Sequence, residues 1–191
     1  MFACEPLHDI PNHIKQLLDE LKGILNGESL DVLNECVEFF IKKKSNARGC
    51  DYVEALMILT HWLHGRCNED EYNLLETLCE ISRLARMKAQ KRCVRSELRL
   101  HNVTYKHAIL LKKVIPSPRN AAFCKMYAHA ITCEMPLTYR LIPISSLSAE
   151  NHEKVFNTLK NTATNSSSRK VGSNTGDVEP NSFIRIQAKS R

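Results

Sequence analysis

The stretch CEPLHDIPNHI, Cys4 to Ile14, gathers a thiol, two carboxylates and two imidazoles: Cys4, Glu5, His8, Asp9 and His13. Such groups supply metal ligands and general acids or bases when a fold brings them together. Carboxylate oxygens suit a hard ion such as Mg2+, whereas thiolate and imidazole suit zinc. A zinc reading would join Cys4 to His8 and His13, but C-x3-H-x4-H lacks the paired C-x-x-C half of common structural sites. A second group, Cys124, His129 and Cys133 in CKMYAHAITC, has His101 and His107 near it in sequence. Its spacing matches no specific zinc motif, so buried thiols and partly exposed histidines are the expectation there. His61 and His64 flank Trp62 and read as a helix face. No Gly-rich phosphate loop and no G-x-S-x-G occurs, which leaves nucleotide-binding and serine-hydrolase chemistry without a motif.

The elements that would position these groups are helical. Ile14, Leu17, Leu18, Leu21, Ile24 and Leu25 recur at helical spacing, with Pro11 as the opening residue and an end near Gly27. A second helix fits Ser29 to about Lys43, closing on lysines that complement its dipole. A third lies between Gly49 and Gly65, with Val53, Leu56, Met57, Thr60 and Leu63 as its stripe. Asn68 and Glu71 form a capping-box pattern ahead of Leu74, Leu75, Leu78, Ile81 and Ala85. A fifth helix covers Asn102 to about Ile115, and Pro118 opens a sixth that runs through Met126, Tyr127, Ala130 and Ile131. From Pro136, PLTYRLIPI reads as an extended segment or weak strand. SSLSAENHEKVFNTLKN then reads as a helix capped by Ser146 or Ser148. The polar stretch from Asn161 onward has too few apolar residues to bury and is expected to be a disordered tail. A complete parallel sheet cannot be built from this pattern.

A chain of 191 residues, 43% hydrophobic and 25% charged, is the size of one soluble domain with a real core. Its apolar runs fall far short of the roughly 18–20 residues a membrane span needs. The start MFACEPLHD has no basic n-region or apolar h-region of a secretory signal. Eight irregularly spaced cysteines suggest reduced thiols, so a nuclear or cytoplasmic location is expected. The net charge of +6 is clustered in Lys42, Lys43, Lys44 and Arg48, in Arg86, Lys88, Lys91 and Arg92, and in the C-terminal tail. Clustered cations suit a phosphate backbone, from which they release counterions. They equally suit helix ends, where cations complement the dipole.

Two pieces together carry a resemblance. EPLHDIPNH near the start and SLSAENHEKVF near the end resemble DDE-type cut-and-paste transposases, in the lineage that includes the V(D)J recombinase catalytic subunit. That family has an RNase H-like fold with three acidic residues. The second acid lies in D-x-x-H at a strand end; the third is a Glu opening a helix after a long helical insertion. On this resemblance Glu5 falls on the second acid, His8 on the histidine and Asp9-Ile10 on the pair behind it. Glu150, in Ala149-Glu150-Asn151, falls on the third acid, with Phe156 as the packing aromatic. The region from His13 to Pro143 would be the insertion.

The resemblance implies a mainly α protein: a helical insertion lobe with a remnant of an RNase H-like core, covering 1–160, and a tail over 161–191. Its catalytic and metal positions would be Glu5 and Glu150, with His8 beside the metal, and its ancestral cofactor Mg2+. The second acid is Glu5 where the family has Asp, and the first acid would precede Met1. The expectation is therefore a transposase-derived, catalytically inactive remnant of the C-terminal half, binding DNA without sequence preference or binding protein. Its carboxylates Glu5 and Glu150 would lie within roughly 10 Å of each other, loosely compatible with a two-metal site. The alternative is an unrelated intracellular α-helical protein-interaction module.

Overall fold

The computed structural model describes residues 6–44, 46–88, 91–115 and 126–141, all within the first of two compact units, Met1–Ser148 and Ala149–Arg191. The first unit is mainly helical, and no strand occurs among the described residues. The helices are α1 (Pro6–Leu21), α2 (Gly27–Val37), α3 (Gly49–Trp62), α4 (Glu69–Ala85) and α5 (Val94–Val114). A sixth, α6, is assembled from a short turn Tyr127–His129, a π-helical turn Ala130–Glu134 and a helical segment Met135–Leu141.

One apolar core joins them. Ile10, Ile14, Leu17 and Leu21 of α1 meet Leu33 of α2, Leu56 and Leu59 of α3 and Leu74, Leu78 and Ile81 of α4, all essentially solvent-free. Burying a leucine of this kind contributes about 1.5–3 kcal/mol, which short helices need because they are marginal alone. The α4 start follows its sequence pattern. Asn68 Oδ1 accepts from the Glu71 N–H at 2.9 Å, and Glu71 reaches back to the Asn68 N–H at 3.2 Å. All five residues of the expected α4 stripe are buried.

Several boundaries differ from expectation. The first helix begins at Pro6, so Pro11 lies inside it rather than opening it. Proline there forfeits one backbone bond; Ile10 on one side and His13 and Ile14 on the other are buried and hold the turn in place. The fifth helix starts at Val94, eight positions before Asn102, because the Cys93 N–H and carbonyl both pair with the Ser96 hydroxyl and close its first turn. In α3, Met57 is exposed while Ala55 and Leu59 are buried, so the core face is broader than the expected stripe and rotated from it.

The segment expected to be extended from Pro136 is helical as far as Leu141. Ile131, Met135 and Tyr139, spaced four apart, are buried together, and the Tyr139 hydroxyl lies 3.4 Å from Ser96 Oγ. Packing of that face overrides the prolines. The expected second helix continues past Val37 as a π-helical turn, Glu38–Lys42. The wider turn leaves Phe39 exposed and lets Phe40 and Ile41 pack on the core beside Trp62.

Candidate nucleic-acid interface and a buried histidine pair

Of the residues expected to carry catalysis, Glu5 and Glu150 lie outside the described residues, and so does their expected separation. The helix expected from Ser146, the tail beyond Asn161, and Cys4 and Cys124 also lie outside them. His8 is described: it sits exposed in the first turn of α1, followed by half-buried Asp9. It is thus on a helix, whereas the family pattern puts this histidine just past a strand. Among the described residues no three His, Cys, Asp or Glu side chains gather in a way that could hold a metal ion. His8 itself offers nitrogen, where Mg2+ takes near-octahedral oxygen.

The cations fall on two connections. Lys42, Lys43, Lys44 and Arg48 line the link from the π-helical turn to α3; Arg86, Lys88, Lys91 and Arg92 line the link from α4 to α5. Two of the eight, Lys44 and Arg92, have their charged groups occupied by the fold; Arg48 contributes its backbone N–H, while its side chain is 80% exposed and its guanidinium no nearer than 3.9 Å to Asp51. Asp51, only 5% exposed, accepts from Lys44 Nζ at 2.6 Å and from the Arg48 N–H at 2.7 Å. The Lys44 hydrogen bond, then the Arg48 amide, hold the Asp51 carboxyl below its ordinary range. Arg92 donates to the Arg140 carbonyl at 2.6 Å, pairs with Glu97 at 2.8 Å and lies over the Tyr139 ring at 5.4 Å. Those contacts fasten α6 to the start of α5.

The remaining cations face water. Lys42 has an exposed pair with Glu38 at 3.3 Å, of the kind that contributes a few tenths of a kcal/mol. Lys43 lies over the exposed Phe39 ring at 5.3 Å. Arg86, Lys88 and Lys91 are exposed and make no ion pair among the described residues. They are available to an external anion.

Sequence reasoning missed a polar cluster inside the core. His13 of α1 and His107 of α5, both fully buried, meet with Nε2 atoms 2.9 Å apart, and Thr77 Oγ1 of α4 lies 2.8 Å from His107 Nδ1. The proton positions follow from the partners. Thr77 has one hydroxyl proton, which it donates to the Leu74 carbonyl at 2.9 Å, so it accepts from Nδ1–H of His107. His107 Nε2 is then the bare nitrogen, and His13 donates Nε2–H to it. Burial pushes His107 down to about 3. Burial first, and then His107 beside it, push His13 well below the ordinary histidine value. Both rings are therefore neutral at pH 7, and the cluster ties three helices together. Nothing in the ligand-type stretch around His13 foretold this, but His107 sits one turn from Leu111 and Thr104 on the inward face of α5.

The thiols follow their environments. Cys36 is buried, donates to the Ala55 carbonyl at 3.4 Å, and burial raises it to about 11, so it is an inert core group. Cys133 and His129, two of the second ligand-type group, are exposed, and His129 lies 3.4 Å from Glu134. Among the described residues no helix is long and apolar enough to cross a membrane. In comparisons with known proteins, no family model, no curated protein and no solved structure matches the chain.

Proposed function

We propose that this chain is a transposase-derived, mainly helical protein that binds nucleic acid without sequence preference and without catalysing strand cleavage. The observation that carries the binding half is the set of exposed cations Lys42, Lys43, Arg86, Lys88 and Lys91, left on two helix connections while Lys44 and Arg92 are taken up by the fold. Structural cations are held by acids; these five are not held by any buried one among the described residues. A phosphate backbone is the polyanion that such scattered, flexible cations suit, since it needs charge rather than shape. A net charge of +6 adds long-range attraction.

The transposase half rests on E-x-x-H at Glu5 and His8 and on A-E-N around Glu150. The finer fold statement, a remnant RNase H-like core around those acids, belongs to this proposal, and so does Mg2+ as the ancestral cofactor. Loss of catalysis follows from ligand chemistry. In-line phosphoryl transfer needs two metals held about 3.5–4 Å apart by preorganised carboxylates. Glu5 is a methylene longer than the family's Asp.

The test is charge reversal at water-facing positions only. Lys43→Glu, Lys88→Glu and Lys91→Glu together should weaken binding to a random-sequence 20-base-pair duplex by tenfold or more in low salt while the helical circular dichroism stays unchanged. Unchanged affinity in a folded triple variant would reduce these cations to helix-end charges. Arg92 is unsuited to this test, because its reversal would unfasten α6.

A further inference from the structure

The outer face of α5 carries an exposed apolar stripe. Leu98, Tyr105 and Ile109 are 59%, 67% and 50% exposed, and with Asn102 they are spaced four, three and four residues apart. At 100° per residue these positions lie diametrically opposite Leu100, Thr104, His107 and Leu111, which face the core. A helix that buries one face and presents a second apolar face is shaped to pack on both. Beside the stripe runs a groove of about 610 Å3 between α4 and α5, into which Leu98, Asn102, Arg95 and Lys106 project opposite Glu76 and Glu80.

The charges bordering the stripe say what would cover it. Arg99 is neutralised by Glu80 and Lys113 by Asp70, but Arg95, Lys106 and Lys112 carry no ion pair among the described residues. A second copy of α5 would fit poorly. Paired parallel, each cation meets its like; paired antiparallel about Asn102 and Tyr105, Arg95 meets Lys112. The chain beyond Leu141 holds seven basic and four acidic residues, so its net charge has the same sign as the border of the stripe.

We propose that this face docks an acidic amphipathic helix from another protein. Apolar residues spaced three or four apart on that helix would lie on Leu98, Tyr105 and Ile109, and flanking carboxylates would reach Arg95, Lys106 and Lys112. Leu98 to Ile109 spans about 16 Å, so three to four turns of partner helix suffice. Asn102, in the middle of the stripe, fixes the register as a single polar residue does in a coiled-coil seam. None of the cations assigned to nucleic acid takes part.

The probe is a fluorescein-labelled synthetic helix of about 18 residues, with leucines at the matching spacing and glutamates on both flanks, titrated with the full chain and followed by anisotropy. A second peptide carries lysines in place of the glutamates. The glutamate peptide should bind at least about tenfold more tightly than the lysine peptide. Leu98→Asp with Tyr105→Asp should raise its Kd by tenfold or more, and Lys106→Glu should narrow the preference between the two peptides. Both sites are exposed, and circular dichroism checks that the variants fold; if the double variant does not, Tyr105→Ser should still raise Kd several-fold. Equal binding of the two peptides, or no effect of the folded stripe variants, overturns the proposal. So does concentration-dependent dimerisation, by sedimentation, that Tyr105→Asp abolishes, since the stripe would then be a self-association face.

Discussion

Lowering the pH from 7 to 5 protonates histidines in the unfolded chain but not His107 in the folded one. In the unfolded state a histidine titrates near 6.5; in the core, burial holds His107 to about 3. The folded value is depressed, so stability is full above 6.5 and is lost as pH falls from there toward 3. Each pH unit in that window removes about 1.4 kcal/mol, and at pH 5 His107 alone has cost about 2 kcal/mol. His13, also held well below its ordinary value, adds a loss of the same sign. Against a typical total of about 5–15 kcal/mol, that is a large fraction. The assay is urea unfolding of the full chain at pH 7, 6 and 5, for the native sequence and for His13→Leu with His107→Leu. The double variant replaces both partners by apolar groups of similar size, a change that can be nearly neutral at pH 7. Its stability should fall by at least about 2 kcal/mol less than the native protein's between pH 7 and 5. His107→Leu alone should cost about 1–3 kcal/mol at pH 7, because His13 Nε2–H loses its buried acceptor. Identical pH dependence in the native and double-variant chains would refute the neutral-pair assignment.

Three further outcomes follow from the same structure. Asn68→Ala should cost about 1 kcal/mol in thermal or urea unfolding, since it removes the acceptor of the Glu71 N–H; no change would mean α4 is fixed by packing alone. Leu78→Ala, at a solvent-free position in α4, should cost about 2–5 kcal/mol by the same measurement. Purified chain incubated with plasmid and Mg2+ or Mn2+ should produce no nick above background, and Glu150→Ala should change nothing. A divalent-dependent nick that vanishes with Glu150→Ala would mean that another acid or a second chain completes a metal site.

Fold class was legible because apolar residues recur at helical spacing, and the α4 start was legible to the residue because Asn68 and Glu71 specify a cap locally. What was illegible depended on contacts distant in sequence. Tyr139 reaches Ser96, and that packing makes a helix of a segment whose prolines suggest an extended one. His13 finds its partner ninety-four positions away, so a residue whose type suits a metal ligand is a core hydrogen-bond donor. The basic clusters were visible in composition. Only the geometry separated Lys44 and Arg92, which hold connections together, from the cations that face water.

The most direct test of the nucleic-acid reading is the salt dependence of binding to a random-sequence duplex. With about four phosphates neutralised, the logarithm of the association constant should fall linearly against log salt with a slope of about −3.6, roughly a 150-fold loss between 50 and 200 mM. The slope should be shared by duplexes of unrelated sequence and should shrink in the Lys43→Glu, Lys88→Glu, Lys91→Glu variant. Binding that ignores salt, or no binding at 50 mM, would contradict the account.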